Sequence, residues 1–233
     1  MIEKTVKTTK GKLRISIPAQ LSEVTLGQMM ALQEADNIND LSAISILSGI
    51  PVDELQQISS TAELLTFGSH IMSLAHQIKY LYNSDAIPQK VTFLINGKPK
   101  QVNVIKNLSV EPAGAFMAAR DVIADEITAH IKQHGEQHWA EHFNPSLKAC
   151  CLILAHYFYC RVTGNAYNEY AIDDFAETVK TLRVTEALPI SKHFFTSYPG
   201  FSKPKTGFWH RAQQLWNNAR EYNRLKSLNT LTP

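Results

Sequence analysis

The sequence has little of what usually announces a function. Charged residues make up only 19% of its 233 positions, and cysteine occurs three times. The most apolar stretch, residues 149–160, is broken by His156. It falls short of the roughly 20 residues that a membrane-spanning helix needs. The first residues are polar and no apolar segment follows them, so no secretory leader is expected. Cys150, Cys151 and Cys160 form no C-x-x-C pair, and an odd count argues against a disulfide framework. Adjacent positions diverge by about 100° on a helix, so Cys150 and Cys151 are not a ligand pair. The three read as reduced core thiols of a cytosolic protein, with a reactive thiol as the alternative. The glycine-rich phosphate loops, the serine nucleophile elbow and the paired-histidine zinc motif are all missing. His134-Gly135-Glu136-Gln137-His138 has the histidine spacing of a zinc protease, but its Glu stands one place too late and Gly135 interrupts the helix. No catalytic residue, metal or cofactor is expected, and the chain does not read as an enzyme.

What is present is a globular composition with an uneven charge. Hydrophobic residues make up 44%, with ten Gly and ten Pro, which excludes disordered and collagen-like chains. The length allows one sizeable core or two small ones. The formal charge of +2 conceals a partition. Residues 1–14 carry Lys4, Lys7, Lys10, Lys12 and Arg14 against Glu3, a balance of +4. Residues 192–233 hold +6, and residues 15–191 hold −8. An acidic body lies between two basic ends.

Residues 1–12 read as an irregular basic arm. Leu13, Ile15 and Ile17 alternate with polar residues, which predicts a short strand closed by Pro18. Thr25 and Gln28 have the spacing of a capping box, opening a helix with Leu26, Met29, Met30 and Gln33 on one face. A second helix over about 40–48 buries Leu41, Ile44 and Leu47 and stops at Gly49. Pro51 opens a third, with Asp53 and Glu54 in its first turn. Ser60 and Glu63 suggest another capping box. It starts a long helix over 61–82 with a stripe at Leu64, Gly68, Ile71, Ala75, Ile78 and Tyr82.

The period then changes from helix to strand. Val91, Phe93 and Ile95 alternate, Asn96-Gly97 is a strong turn signal, and Val102 and Val104 return. This predicts a β-hairpin at 90–105, with the strand at 13–17 available to join it. A helix follows over 112–134 with Phe116, Ile123, Ile127 and Ile131 inward. Asn144-Pro145 opens a helix through Val162 that is apolar nearly all round, the mark of a central buried helix, and Gly164 ends it. Asp173 caps another carrying Phe175, Val179 and Leu182. After Pro189 the texture loosens. Tyr198-Pro199-Gly200 is a turn, and a last helix over about 207–228 is basic and aromatic. The expected fold is mainly α, a multi-helix bundle with one small β-hairpin and extended basic terminal arms. Its expected divisions are a basic arm (1–12), an N-terminal helical bundle (13–84), the hairpin (85–106), a central helical region (107–191) containing the buried helix 145–163, and a basic linker with C-terminal helix (192–233). A boundary is drawn near 84–90, although the two halves could share one core.

Three groups carry possible chemistry. His130, His134, His138 and His142 recur every fourth residue, and neutral imidazoles at that spacing bind zinc or nickel on an unbroken helix. Gly135 makes an unbroken helix a poor expectation, so an exposed histidine-rich end is preferred over a metal site or a pH-sensitive interface. Asp121, Asp125 and Glu126 read as a solvated face rather than an acid–base pair. The basic ends read as partner-binding through Lys4, Lys7, Lys10, Lys12, Arg14, Lys203, Lys205, Trp209, Arg211, Trp216, Arg220 and Arg224. Trp and Arg anchor protein interfaces, and the same mixture contacts bases and phosphates. Protein partners are preferred over nucleic acid, and no membrane partner is expected.

The run Val24-Thr25-Leu26-Gly27-Gln28, the run Leu41-Ser42-Ala43-Ile44-Ser45-Ile46-Leu47-Ser48-Gly49-Ile50-Pro51, and Asp53-Glu54-Leu55 together resemble a known group. They are similar to small virion structural and tail or baseplate assembly proteins of tailed bacteriophages, especially the crAss-like phages of Bacteroidota. The likeness covers roughly 60 residues of short helical signatures. It implies a non-enzymatic role in a virion, with synthesis in the host cytoplasm. The partners it implies are other virion proteins and copies of the chain itself, in an oligomeric ring or another assembly. It carries no catalytic residues to transfer. The expected mechanism is docking of a basic arm on the acidic body of a neighbour, the arm ordering as it binds. The alternative is a protein that contacts the packaged genome.

Overall fold

A computed structural model describes residues 1–35, 39–78, 86–107, 110–135 and 143–197, the side chains of residues 61 and 63 excepted. Its architecture is mainly α. Among the described residues there are eight α-helices and two separate two-stranded antiparallel sheets.

The first sheet replaces the irregular arm. Strands β1 (Ile2–Thr8) and β2 (Gly11–Ile17) pair across a tight turn, with Val6 opposite Leu13 and Lys4 opposite Ile15. Ile2, Val6, Leu13, Ile15 and Ile17 fall on one face, and Val6, Ile15 and Ile17 are fully buried. The lysines at every third or second place hid this alternation in the sequence. The strand that includes 13–17 therefore pairs with its own N-terminal neighbour and does not join the second hairpin.

Helix α1 (Leu26–Glu34) begins on the expected capping box. Thr25 Oγ1 accepts from Gln28 N–H at 3.1 Å, and Gln28 Oε1 accepts from Thr25 N–H at 2.9 Å. Leu26 and Met29 are buried, whereas Gln33 is exposed. Helix α2 (Asp40–Ser48) is capped by Asn39 and ends at Gly49; it buries Ala43, Ile44 and Leu47, with Leu41 only half-buried. Helix α3 (Val52–Leu55) is one short turn after Pro51. Helix α4 (Thr61–Ile78) is long, as expected, but its buried positions are Phe67 and Leu74, seven apart. The expected stripe runs beside them: Leu64, Gly68, Ile71 and Ile78 are half-buried and Ala75 is exposed. The expected extension to Tyr82, and the Ser60–Glu63 box, fall outside the described residues or side chains.

The second hairpin pairs β3 (Lys90–Ile95) with β4 (Lys98–Asn103) around Asn96-Gly97, as the turn signal predicts. Both turn residues have positive φ, 51° and 74°, which suits the twist of an antiparallel pair and which glycine adopts without strain. Val91 and Phe93 face the core, and the Phe93 ring meets Phe158 edge-on at 5.0 Å.

Helix α5 (Ala113–His134) buries Ala115, Ala119, Ile123 and Ile127, leaving Phe116 and Ile131 half-covered. Helix α6 (Leu147–Thr163) is the central element, with twelve of its seventeen residues buried. Its cap is Ser146, whose side chain accepts from Ala149 N–H, and not Asn144. Asp173 likewise does not cap: α7 (Ile172–Val179) follows a 3-10 turn capped by Asn168, and Asp173 and Asp174 sit in its first turn, where the helix dipole favours them. Helix α8 (Val184–Ser197) is not legible in the sequence because Pro189 lies inside it. A proline costs an interior helix about 3 kcal/mol. Here burial of Leu188, Pro189, Ile190, Phe194 and Phe195 offsets that cost. Residues 192–197, expected in the linker, belong to α8, and the rest of the expected linker and the expected C-terminal helix lie outside the described residues.

The expected boundary near 84–90 does not divide the core, because Met1–Phe195 forms one compact unit. Backbone bonds close it. Leu26 N–H donates to Leu182 C=O at 2.8 Å, Gly27 N–H to Lys180 C=O at 2.9 Å, and Val184 N–H to Val24 C=O at 2.9 Å. Gly27 is needed at this crossing, since a Cβ there would sit 3.0 Å from Lys180 Cβ and 3.2 Å from its carbonyl oxygen. Replacing glycine by alanine ordinarily stabilises a helix by about 1 kcal/mol. We expect Gly27→Ala to destabilise instead, and Thr25→Ala to cost about 1 kcal/mol. Urea unfolding of both variants checks this, and a more stable Gly27→Ala protein would contradict the close crossing.

Candidate functional site

The basic residues of the N-terminus are built onto the first hairpin. Its inner face packs toward α2, so the alternate residues Glu3, Thr5, Lys7, Lys12, Arg14 and Ser16 lie on the outer face. Lys7 stands directly opposite Lys12, and Lys10 lies in the turn. Thr8 Oγ1 accepts from Lys10 N–H and donates to Gly11 C=O, while Gly11 at φ 135° completes a turn that a side chain would strain. Ser59 N–H donates to Lys7 C=O and Thr9 N–H to Gln57 C=O, both at 2.9 Å, which ties the hairpin to the segment after α3. Arg14 forms an ion pair with Glu3 on the same face. That pairing raises the Arg14 pKa, so the guanidinium stays charged.

Four of the five N-terminal residues expected to bind partners, Lys7, Lys10, Lys12 and Arg14, are thus gathered on the outer face and its turn. Lys4 is not among them. It is half-buried on the inner side and donates to Thr66 Oγ1 of α4 at 3.0 Å. Its carbon stem covers apolar surface while its ammonium reaches a hydroxyl. Lys203, Lys205, Trp209, Arg211, Trp216, Arg220 and Arg224 lie outside the described residues.

The other candidates are structural in their contacts. His130 and His134 stack with ring centres 4.3 Å apart, and Phe143 meets His130 edge-on at 5.2 Å. His138 and His142 lie outside the described residues. Among the described residues no three His, Cys, Asp or Glu side chains converge on a metal position. His130 lines a polar cleft with Glu126, Gln33, Gln133 and Asn144, and Glu126 accepts from Ser146 N–H at the start of α6. Asp121 pairs with the neighbouring Arg120 at 2.9 Å. All three thiols are unpaired in disulfides, and burial pushes Cys150 up to about 12 and Cys151 to about 11, so both are protonated at neutral pH. Cys160 is only half-buried, not a core thiol, and burial raises it too.

Two polar pairs on α6 were not anticipated. His156 is buried, and its Nδ1 shares a hydrogen bond with Tyr167 OH at 2.9 Å. Burial lowers the histidine pKa, against a weaker upward pull from Glu169 and Asp173. Arg161 forms an ion pair with Glu111, donates to Tyr157 OH at 2.9 Å and lies over the Tyr157 ring. Tyr157 OH in turn donates to Ile105 C=O at 2.7 Å and accepts from Ile105 N–H at 2.6 Å. This cluster ties the chain leaving the second hairpin to the central helix. Polar residues inside a run that is otherwise apolar were its only sequence signal. Glu111 supplied none, because its partner lies 50 positions away.

Comparison with known protein families, with curated proteins and with solved structures gives no match. No helix among the described residues is long and apolar enough to cross a membrane.

Burial raises the Glu111 pKa above its usual value, and Arg161 opposes that rise. A carboxyl whose folded pKa is raised favours folding most below its unfolded pKa, and that contribution is lost as pH rises through the folded value. Removing Arg161 leaves only the raising effect. We expect Arg161→Met to lose about 3 kcal/mol at pH 7 and to recover part of it between pH 7 and pH 5. Urea midpoints at the two pH values check the expectation, and an equal loss at both would refute the buried-charge account.

Proposed function

We propose that this chain is a non-enzymatic structural or assembly protein of a bacteriophage virion, a connector, tail or baseplate component. It works by docking its basic hairpin on acidic surfaces of other virion proteins or of its own copies. One observation carries the reading. Lys7, Lys10, Lys12 and Arg14 are held on the outer face and turn of a hairpin pinned at Ser59 and Gln57, beside a body whose residues 15–191 carry −8. The resemblance of the first helices to phage assembly proteins supports the class. The described contacts of the histidine row and the thiols favour structural roles over catalytic ones.

The mechanism differs from that of a disordered arm. A hairpin already folded loses less conformational freedom on docking, so its charges act as a preformed patch. Removing residues 1–12 would strip β1 from β2 and uncover Ile15 and Ile17, so truncation tests the fold as much as the function. Charge reversal is the cleaner probe.

Lys7→Glu with Lys12→Glu is expected to keep the helical circular dichroism and the unfolding temperature. The wild-type full chain is expected to form larger species in sedimentation velocity at low salt, and the reversed variant is expected to form none. Raising the salt to about 0.5 M should dissolve those species in the wild type, because exposed charges are screened within a few ångströms there. Unchanged assembly in the reversed variant would defeat the docking mechanism. Tight binding of the wild type to a single-stranded oligonucleotide, also lost on reversal, would move the function to the genome.

A further inference from the structure

The hairpin has an open edge as well as a charged face. The register Ile2 with Ile17, Lys4 with Ile15, Val6 with Leu13 and Thr8 with Gly11 determines which backbone groups turn inward. In an antiparallel pair, hydrogen-bonded and non-hydrogen-bonded residue pairs alternate. Thr8 and Gly11 close the two-residue turn as a bonded pair. The peptide groups of Lys7, Lys12, Thr5 and Arg14 therefore point away from the partner strand. Lys7 confirms the phase, because its carbonyl accepts from Ser59 N–H on the outer side of β1. On β2 no described residue bonds to the outward N–H and C=O groups of Lys12 and Arg14, and both residues are exposed.

Such an edge is a template for another polypeptide. Its donors and acceptors repeat every second residue, about 6.8 Å apart, at the spacing of an extended peptide backbone. The flanking side chains select the sequence. Lys12 and Arg14 project on the solvent face, with Lys7 across the ladder and Lys10 at the turn. Two identical β2 edges meeting at Lys12 would set ammonium against ammonium, Arg14 being paired with Glu3 already, and like charges directly opposite destabilise a sheet. The edge is thereby guarded against a second copy of itself and open to the opposite charge. Leu13, between Lys12 and Arg14, is half-buried on the inner face and leaves an apolar flank.

We propose that the edge of β2 takes up an extended acidic segment of a partner protein as a third strand. One acidic side chain of that segment stands opposite Lys12, a second shares the Arg14 guanidinium with Glu3, and an apolar side chain between them lies beside Leu13. This rests on the docking role of the hairpin and adds the form of its partner.

The test uses the full chain and two blocked seven-residue peptides of alternating glutamate and valine. One is unmodified. The other is N-methylated on the backbone nitrogens of the edge that would face β2. The unmodified peptide is expected to slow amide exchange at Lys12 and Arg14 by about tenfold or more. The methylated one is expected to bind at least about tenfold more weakly, since it loses its backbone bonds to β2. Equal binding of the two peptides, or binding without protection of those two amides, would overturn strand addition and leave charge attraction alone. An oligonucleotide of equal charge that binds as tightly and protects the same amides would also overturn it. If the peptides fail while reversal at Lys7 and Lys12 still blocks assembly, the docking role stands and only its strand form falls. If reversal has no effect, both fall together.

Discussion

The start of helix α1 imposes the constraint on which the fold depends. The first N–H groups of a helix have no partner inside it, and a buried donor left alone costs about as much as a lost hydrogen bond. Leu26 is fully buried, so water cannot serve there. The chain answers from two directions. Thr25 and Gln28 satisfy one another locally, and the carbonyls of Leu182 and Lys180 take the N–H groups of Leu26 and Gly27. Gln28 also donates from Nε2 to Leu47 C=O, which fastens α1 to the end of α2. One helix terminus thus joins the N-terminal bundle to a segment more than 150 positions away.

The remainder of the core is organised by α6. Its faces are covered by α1, α5, α7 and the second hairpin. Rings from several elements meet around it. Phe158 contacts Phe93, Tyr159 contacts Phe175 at 5.5 Å, and Tyr157 contacts Phe194 at 4.7 Å. Aromatic pairs at such distances add to the stability that area burial provides. The Arg161, Glu111 and Tyr157 cluster contributes direction rather than bulk. A buried ion pair recovers its desolvation cost only when its remaining donors and acceptors are satisfied. Here they fix the chain at Ile105 and Asn103 against a single turn of helix.

The basic hairpin follows from that rigid body. Its inner face is held by apolar burial and its far end by Ser59 and Gln57. The outer charges therefore keep a defined spacing, and the second strand keeps a usable edge. Lys4 shows how fine the division is. One strand position separates it from Thr5 on the outer face, and it serves packing on α4 rather than the patch.

Local rules were enough to read the Thr25 box, the Gly49 and Gly164 stops, the Asn96-Gly97 turn and the buried character of α6. Each depends on residues within a few positions of one another. The same rules read Asp173 as a cap, the chain after Pro189 as loosened and residues 1–12 as an irregular arm; a 3-10 turn capped by Asn168 starts α7 before Asp173, and in the other two cases tertiary burial outweighed the local signal. Inner-face burial of Val6, Ile15 and Ile17 turned a lysine-rich stretch into a hairpin, and burial of the Pro189 face carried α8 past its proline. The charge partition belonged to the sequence from the outset. Which cations stand together, which one turns inward and which strand edge stays open were decided only by the fold, because they depend on register and long-range packing.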